Sequence, residues 1–387
     1  MTLLAPATVT ARRRSITGLV RAMPLESGTA LGPYRVSALI GEGGHGTGVP
    51  RHGHKPRPGR DPEGVAAGVD GVRKGPSILT GAAVALGIIS GMWAIALAQG
   101  PTAPEPLKLS EHVTVVLEGQ PGAQSNVGIV VGSKGTLVID SGLGPRNGAI
   151  LANVARQLAP GRTTLYVAAT HFHPEHMMGE SGFPASAIIV RSTGQQQDID
   201  ATGAAEGRGV VALFKGMPDR AADMEGAIYR MPDVTFAGEA LIDLGGTRVR
   251  LMELGPAHTR GDVGFFVEGD AVAFTGDVAM SSPIGINSAR FTSAPTIASV
   301  WLASLERLMA LQPRHVVPAH GPLGDASMIE KHRVFLIAVR ARVSALKEQR
   351  QTADQIASTV STELAVKYQV PEKIAADAAR LFYEELP

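Results

Sequence analysis

The sequence predicts a layered α/β domain with mixed β-sheets. Apolar runs rich in β-branched residues, each bounded by Gly or Ser, predict the strands, and stretches with helical periodicity separate some of them. The order is strands, then helices, then strands again, which favours layers over strict strand–helix alternation. The chain has 387 residues, of which 44% are hydrophobic, so it can bury a substantial core. We place the domain at residues 109–325 and further helices at 326–387.

The first half of this domain is expected to begin with strands. Strands are predicted within 112–119, 126–142 and 165–171, with a hairpin turn over the four residues from Gly132 to Gly135. A helix that opens with a proline is predicted over 145–160.

The second half is expected to contain two hairpins and more helix. Gly245 and Gly246 predict one hairpin turn, and a second hairpin ends in the strand before Asp277. A helix is predicted over 293–312 and a short buried strand over 315–321.

Composition removes several classes of function. The absence of cysteine excludes disulfides, thiolate nucleophiles and Cys-ligated zinc. The formal net charge is +1, which gives no support for a nucleic-acid partner. Composition therefore predicts no nucleic-acid partner.

Charge divides the chain into two regions. Residues 1–98 hold 11 basic and 5 acidic residues, against 25 basic and 30 acidic residues in the remainder.

Arg73 and Lys74 precede an uncharged apolar run at 75–98 that ends in Ala-Leu-Ala, which is typical of a secretory signal peptide. We interpret 72–98 as a signal peptide, with an uncleaved membrane anchor or a core helix as alternatives, and translation starting near Val72 as a hypothesis. A periplasmic or secreted protein is predicted, tethered to the membrane if the segment is retained.

The region before this segment contains one suggestive motif. Gly41, Gly43 and Gly46 have G-x-G-x-x-G spacing and resemble the Gly-rich loop of bacterial serine/threonine protein kinases. No lysine-bearing strand, H-R-D loop or D-F-G segment follows. We interpret 1–71 as a non-functional, disordered remnant and 99–108 as a linker.

The densest chemistry directly follows a predicted strand. The segment Thr-His-Phe-His-Pro-Glu-His ends at residue 176 and supplies four donor side chains: His171, His173, Glu175 and His176. Imidazole nitrogens and carboxylate oxygens suit zinc, iron or manganese. In an extended chain His171 and His173 project to one side, so both can reach one ion.

Three further segments end predicted strands and carry one donor each. They hold His258 in 255–262, Asp277 at the end of Thr-Gly-Asp, and His320 in Pro-Ala-His-Gly. Reactive groups gather at such strand ends, so these side chains are expected to meet the 171–176 segment.

In this order, the four segments resemble the metallo-β-lactamase superfamily over about residues 110–325. The resemblance implies an αβ/βα four-layer sandwich with two metals at one edge. It implies that His171, His173 and His258 bind the first metal.

The resemblance assigns the remaining donors to the second metal. Glu175, His176 and His320 would bind it, Asp277 would bridge both metals, and Asp140 would support the ligand loop. The family usually has Asp where this chain has Glu175, and the extra methylene moves the carboxylate by about 1.5 Å. We therefore expect different binding of the second metal, and we consider Glu175 a candidate proton shuttle.

The implied activity is metal-dependent hydrolysis. A metal-bound hydroxide would cleave a small ester, thioester, lactone or amide, with one or two Zn²⁺ ions, or Fe or Mn, as cofactor and with Glu175 and Asp277 as catalytic residues. A bridging Asp277 is similar to the ligand set of glyoxalase II, lactonases and phosphodiesterases, whereas some β-lactamases use Cys there. A mono-iron persulfide dioxygenase-like oxidoreductase, a class B β-lactamase and a non-catalytic binding module are the alternatives.

Two segments are expected near the mouth of the site. They are the insert at 194–220 and the loop at 281–291. The apolar wall candidates, with core packing as the alternative, are Phe172, Met177, Met178 and Phe291.

Overall fold

A computed structural model describes residues 103–162, 164–202, 210–281 and 296–387, together with three two-residue strands nearer the N-terminus. The strands, in chain order, are β1 (Thr10–Ala11), β2 (Ala30–Leu31), β3 (Tyr34–Arg35), β4 (Leu107–Lys108), β5 (Val113–Val116), β6 (Val127–Val131), β7 (Gly135–Ile139), β8 (Thr164–Ala168), β9 (Ile188–Ser192), β10 (Val234–Phe236), β11 (Glu239–Asp243), β12 (Arg248–Glu253), β13 (Val263–Val267), β14 (Val272–Gly276) and β15 (His315–Pro318). The helices are α1 (Gly144–Leu158), α2 (Pro174–Met177), α3 (Thr193–Thr202), α4 (Val210–Lys215), α5 (Ala298–Ala310), α6 (Ala326–Glu348), α7 (Ala353–Tyr368) and α8 (Glu372–Glu385).

The described strands form two mixed sheets and one isolated pair. The first sheet has the order β1-β10-β9-β8-β7-β6-β5-β4, with parallel pairing from β10 to β7 and antiparallel pairing from β7 to β4. The second has the order β11-β12-β13-β14-β15 and is antiparallel except for the last pair. Strands β2 and β3 pair with each other.

The two large sheets pack face to face. Buried side chains of both sheets form one core, with Leu137 and Tyr166 from the first sheet and Leu251 and Phe274 from the second. Helix α1 covers the outer face of the first sheet, and α5 to α8 cover the outer face of the second. These four layers confirm the predicted αβ/βα sandwich with C-terminal helices.

Both predicted hairpin turns are present in this sandwich. The turn from Gly132 to Gly135 joins β6 to β7, and Gly245 and Gly246 join β11 to β12 with positive φ angles of 94° and 95°. Asp243 Oδ1 accepts hydrogen bonds from both of these glycine amides, each at 2.8 Å. Both hairpins agree with the turn predictions.

Before residue 103 the structure describes only the strands β1 to β3. The predictions for the N-terminal region therefore lie outside the described residues. This applies to the kinase-like glycines, to the candidate signal peptide at 72–98 and to the start of the linker. Among the residues that are described, no helix combines the length and apolar character needed to cross a membrane.

One histidine of the C-terminal helices is buried without a polar contact. His332 on α6 is 3% exposed, and its ring centroid lies 5.5 Å from that of Trp301 on α5. Neither ring nitrogen has a hydrogen-bond partner among the described residues. Burial lowers the pKa of His332 to about 4, so the folded protein holds this ring neutral.

We expect His332 to make the folded state sensitive to acid. An unfolded histidine gains its proton below about pH 6.5, whereas the folded one resists until about pH 4, so stability falls across this window by about 3 kcal/mol. His332→Leu removes this term, and urea denaturation of the metal-free protein should show it gaining about 2 kcal/mol over wild type when the pH drops from about 7.5 to about 4.5. An equal difference between the two proteins at both pH values would contradict this expectation.

Candidate metal centre

The predicted donor side chains come together at one edge of the sandwich. His171, His173 and the helix α2 donors follow β8, while His258 follows β12. Asp277 follows β14, and His320 follows β15, which runs parallel to β14. Seven donors from four strand ends thus meet, as the strand-end positions predicted.

The first set of donors is His171, His173 and His258. One nitrogen of each ring lies within 4.8 Å of the others, and all three residues are buried. His171 Nε2 is 3.1 Å from His173 Nδ1. Three imidazoles facing one point match the three-histidine sites that zinc occupies in enzymes.

The second set is Glu175, His176 and His320, whose donor atoms also lie within 4.8 Å of one another. Asp277 groups with His171 and His176, and its Oδ2 lies 3.3 Å from His258 Nε2. The Asp277 carboxylate therefore lies between the two sets, as expected for a bridging ligand.

Protonation of the first set favours metal binding. Burial, together with the neighbouring histidines, lowers the pKa of both His171 and His173 well below the ordinary value. Burial alone would raise the pKa of Asp277, but His258, His320 and His176 lower it. Neutral imidazoles beside an ionised carboxylate are the protonation states that a cation needs.

His176 differs from the first set because it has a carboxylate partner. Burial would lower its pKa, but Asp140 raises it to about 9, helped by Glu175 and Asp277. His176 Nδ1 lies 3.0 Å from Asp140 Oδ2, and both side chains are buried. Asp140 also accepts from the Thr170 backbone N–H at 2.7 Å and from its hydroxyl at 3.1 Å. The Asp140 prediction as a support of the ligand loop thus agrees with its contacts.

Buried donor atoms without hydrogen-bond partners indicate whether this cluster fits a metal ion. Within the part of the chain that the structure describes, three such atoms of this cluster have no hydrogen-bond partner: His176 Nε2, Glu175 Oε2 and Asp277 Oδ1. Unpaired buried polar atoms are costly, so three together indicate a missing ligand. Nitrogen and carboxylate donors in this number fit divalent zinc, iron or manganese.

Several contacts that hold the ligand loops have no signal in the sequence. Asp262 accepts from the Thr259 backbone N–H and hydroxyl at 2.8 and 2.7 Å, and Asp198 accepts from the Gly261 N–H at 3.0 Å. Burial raises the pKa of Asp262 to about 6, against the opposing effect of His258. These two carboxylates fix the loop that carries His258.

The insert after β9 packs behind the ligand loop. Phe172, Met177 and Met178 are buried in a cluster with Val211 of α4, so core packing describes them and a pocket wall does not. Tyr229 donates its hydroxyl to the Phe172 carbonyl at 2.7 Å, and burial raises its pKa well above the ordinary value. The predicted loop at 281–291, with Phe291, lies outside the described residues beyond position 281.

Residues 121–320 match the family model of the metallo-beta-lactamase superfamily, and this range contains all seven donors. The chain belongs to the metallo-beta-lactamase superfamily. The resemblance drawn from four short segments is therefore confirmed over half of the chain.

The individual proteins that the chain resembles are more distant. A hydroxyacylglutathione hydrolase from Fuscovulum blasticum is 34% identical over 99 residues, which make up 24% of this chain and 36% of that protein. The sec-alkylsulfatase Pisa1 from Pseudomonas sp. is 15% identical, with a TM-score of 0.55 over 73% of this chain and 50% of the sulfatase. The chain thus covers about a third and about half of these two proteins, and the sulfatase shows the fold alone. A metallo-beta-lactamase from Pontibacter korlensis is 22% identical, with a TM-score of 0.43 over 60% of this chain and 97% of that one.

Proposed function

We propose that this protein is a zinc-dependent hydrolase of small esters, thioesters, lactones or amides, with two metal ions and thioesters as the first class to test. The observation that carries the proposal is the convergence of seven nitrogen and carboxylate donors, three of them with unpaired buried atoms. The name of the hydroxyacylglutathione hydrolase relative supports the thioester class.

The donor sets define where each ion would be held. His171, His173 and His258 would hold one, and the other would be held by Glu175, His176 and His320, with Asp277 between them. When bound, such ions supply a Lewis acid for the substrate carbonyl and a nucleophile from water of lowered pKa.

The chain's own carboxylates contribute proton transfer and orientation. The Glu175 side chain is 13% exposed, and its Oε1 lies 3.9 Å from His176 Nε2. Because the Glu175 side chain is partly exposed and its buried Oε2 has no partner among the described residues, Glu175 can deliver a proton to the leaving group. Asp277 orients His258 across a 3.3 Å contact.

The second donor set also favours hydrolysis over the oxygenase alternative. A mono-iron persulfide dioxygenase needs a single metal site. Here Glu175, His176 and His320 group separately from the first set, which supports a second ion.

We further propose a periplasmic or secreted location, with a membrane tether if the 75–98 segment is retained. The basic residues before this segment and the Ala-Leu-Ala at its end support the proposal.

A substrate panel on the full chain tests the proposed function. Metal-free protein reloaded with zinc, manganese or iron is assayed with thioester, ester, lactone, amide, β-lactam and persulfide substrates. We expect hydrolysis of a thioester or an ester that requires about two equivalents of divalent metal. Persulfide oxidation with one equivalent of iron, or turnover of β-lactams alone, would contradict the proposal.

Glu175→Gln adds a test of the proton-transfer role within the same panel. If Glu175 transfers the proton and does not bind the second ion, the substitution lowers kcat by at least about 100-fold while metal content is unchanged. Loss of metal instead would count against the proton-transfer role and assign Glu175 to the second ion. Glu111→Gln, which changes an exposed carboxylate outside the donor cluster, is the matched control.

A further inference from the structure

A carboxylate outside the donor sets contacts the last histidine of the second set. Glu118 lies after β5, about 200 residues from His320 in sequence. Its Oε1 lies 2.8 Å from His320 Nδ1, and its Oε2 accepts the Gly321 N–H at 2.9 Å. One side chain thus holds both the histidine ring and the backbone beside it.

Glu118 is itself held by a neighbour with several contacts. The Asn126 side chain accepts the Glu118 backbone N–H through Oδ1 at 2.9 Å. The same side chain donates to the Pro318 and Gly321 carbonyls, each at 2.9 Å, and the Asn126 backbone N–H donates to the Ala319 carbonyl at 2.7 Å. Asn126 is buried, so it fastens the His320 loop to the β5–β6 connection.

The contact with Glu118 determines which nitrogen of His320 is free. An ionised carboxylate only accepts hydrogen bonds, so His320 Nδ1 must carry the hydrogen and Nε2 the lone pair. The His320 ring lies 5.2 Å from that of His176, within the second donor set. The lone pair is therefore available where the second ion would be held.

The two histidines of the second set share this arrangement. His176 has Asp140 at its Nδ1, and His320 has Glu118 at its Nδ1. In the first set, the Nδ1 of His171 lies 3.2 Å from the hydroxyl of Thr170 instead. Carboxylates behind ligating histidines fix the tautomer and raise the basicity of the ligand.

We propose that Glu118 is a positioning residue that fixes the tautomer of His320 and thereby sets the affinity of the second metal site. His176 and His320, each with a carboxylate at its Nδ1, would then be the most basic donors of that site. The inference rests on the proposed function, since it requires a second ion. The side chains of Glu118 and His320 are 39% and 30% exposed, so the contact is not part of the core.

Glu118→Ala tests the inference with two readouts that do not depend on activity. In metal-free protein at about pH 8, ¹⁵N NMR of the histidine side chains should show His320 protonated at Nδ1 in wild type and at Nε2 in the variant. In zinc titrations against a competing chelator, the first ion should bind as in wild type and the second about 10- to 100-fold more weakly.

Two further variants serve as controls for Glu118→Ala. Glu118→Asp retains a carboxylate and should recover part of the affinity for the second ion. Glu111→Ala removes an exposed carboxylate outside the donor sets and should match wild type in both readouts.

Each remaining outcome counts against the inference. An unchanged His320 tautomer and unchanged affinity for the second ion in Glu118→Ala would overturn it and leave the proposed function intact. Loss of both ions together with a lowered Tm would show that Glu118 is merely structural. A wild-type protein that binds only one ion would overturn both the inference and the two-metal function.

Discussion

Asp277→Asn is expected to lower kcat/KM by about three orders of magnitude. The substitution keeps the size of the side chain but removes the charge between the two donor sets, where Oδ2 lies 3.3 Å from His258 Nε2. Removing this negative charge forfeits several kcal/mol of electrostatic stabilisation even when the ions are bound, and each 1.4 kcal/mol is a factor of ten in rate. Steady-state kinetics at saturating zinc measure the effect.

Metal content and a surface control complete this test. Asp277→Asn should retain less zinc after dialysis than wild type. Asp243→Asn changes a carboxylate that caps the β11–β12 turn and should retain wild-type kinetics. A value of kcat/KM within about threefold of wild type in Asp277→Asn would remove Asp277 from the site.

Asp140→Asn is expected to damage both the second metal site and the stability of the fold. Asp140 has a positive φ of 65°, which Asn tolerates, so the substitution changes the charge without adding backbone strain. Through its side-chain amide, the new residue would donate to His176 Nδ1, which forces the proton onto Nε2 and removes the lone pair from the site. The affinity for the second ion should fall about 10- to 100-fold.

The stability cost arises because the contacts of Asp140 are buried. The carboxylate accepts from the Thr170 N–H and hydroxyl and pairs with His176, at 2.7 to 3.1 Å. Breaking a buried ion pair costs about 3 kcal/mol or more. Urea denaturation of the metal-free variant measures this cost, and a loss below about 1 kcal/mol would show that the pair is not essential for folding.

The four-layer fold and the ligand positions could be predicted because their signals are local. His171, His173, Glu175 and His176 lie within six residues, and His258, Asp277 and His320 each lie within five residues after a strand with a clear apolar pattern. Turn glycines such as Gly245 and Gly246 mark the hairpins for the same reason.

Long-range polar contacts could not be predicted in this way. Glu118 meets His320 across 202 positions, and Asp198 meets Gly261 across 63. Nothing near either carboxylate marks its partner, because the partner depends on how the sheets pack. The burial of Phe172 could not be predicted for the same reason. The insert after β9 packs over this side chain, and that packing has no local signal in the sequence.

Anomalous X-ray diffraction at the zinc edge, from crystals of the full chain grown with zinc, tests the central claim most directly. The two donor sets predict two peaks, one about 2.0–2.1 Å from nitrogens of His171, His173 and His258 and one at the same distance from His176 and His320. Asp277 should lie between the peaks. The absence of any peak at this edge of the sandwich would contradict the metal centre and the hydrolase proposed from it.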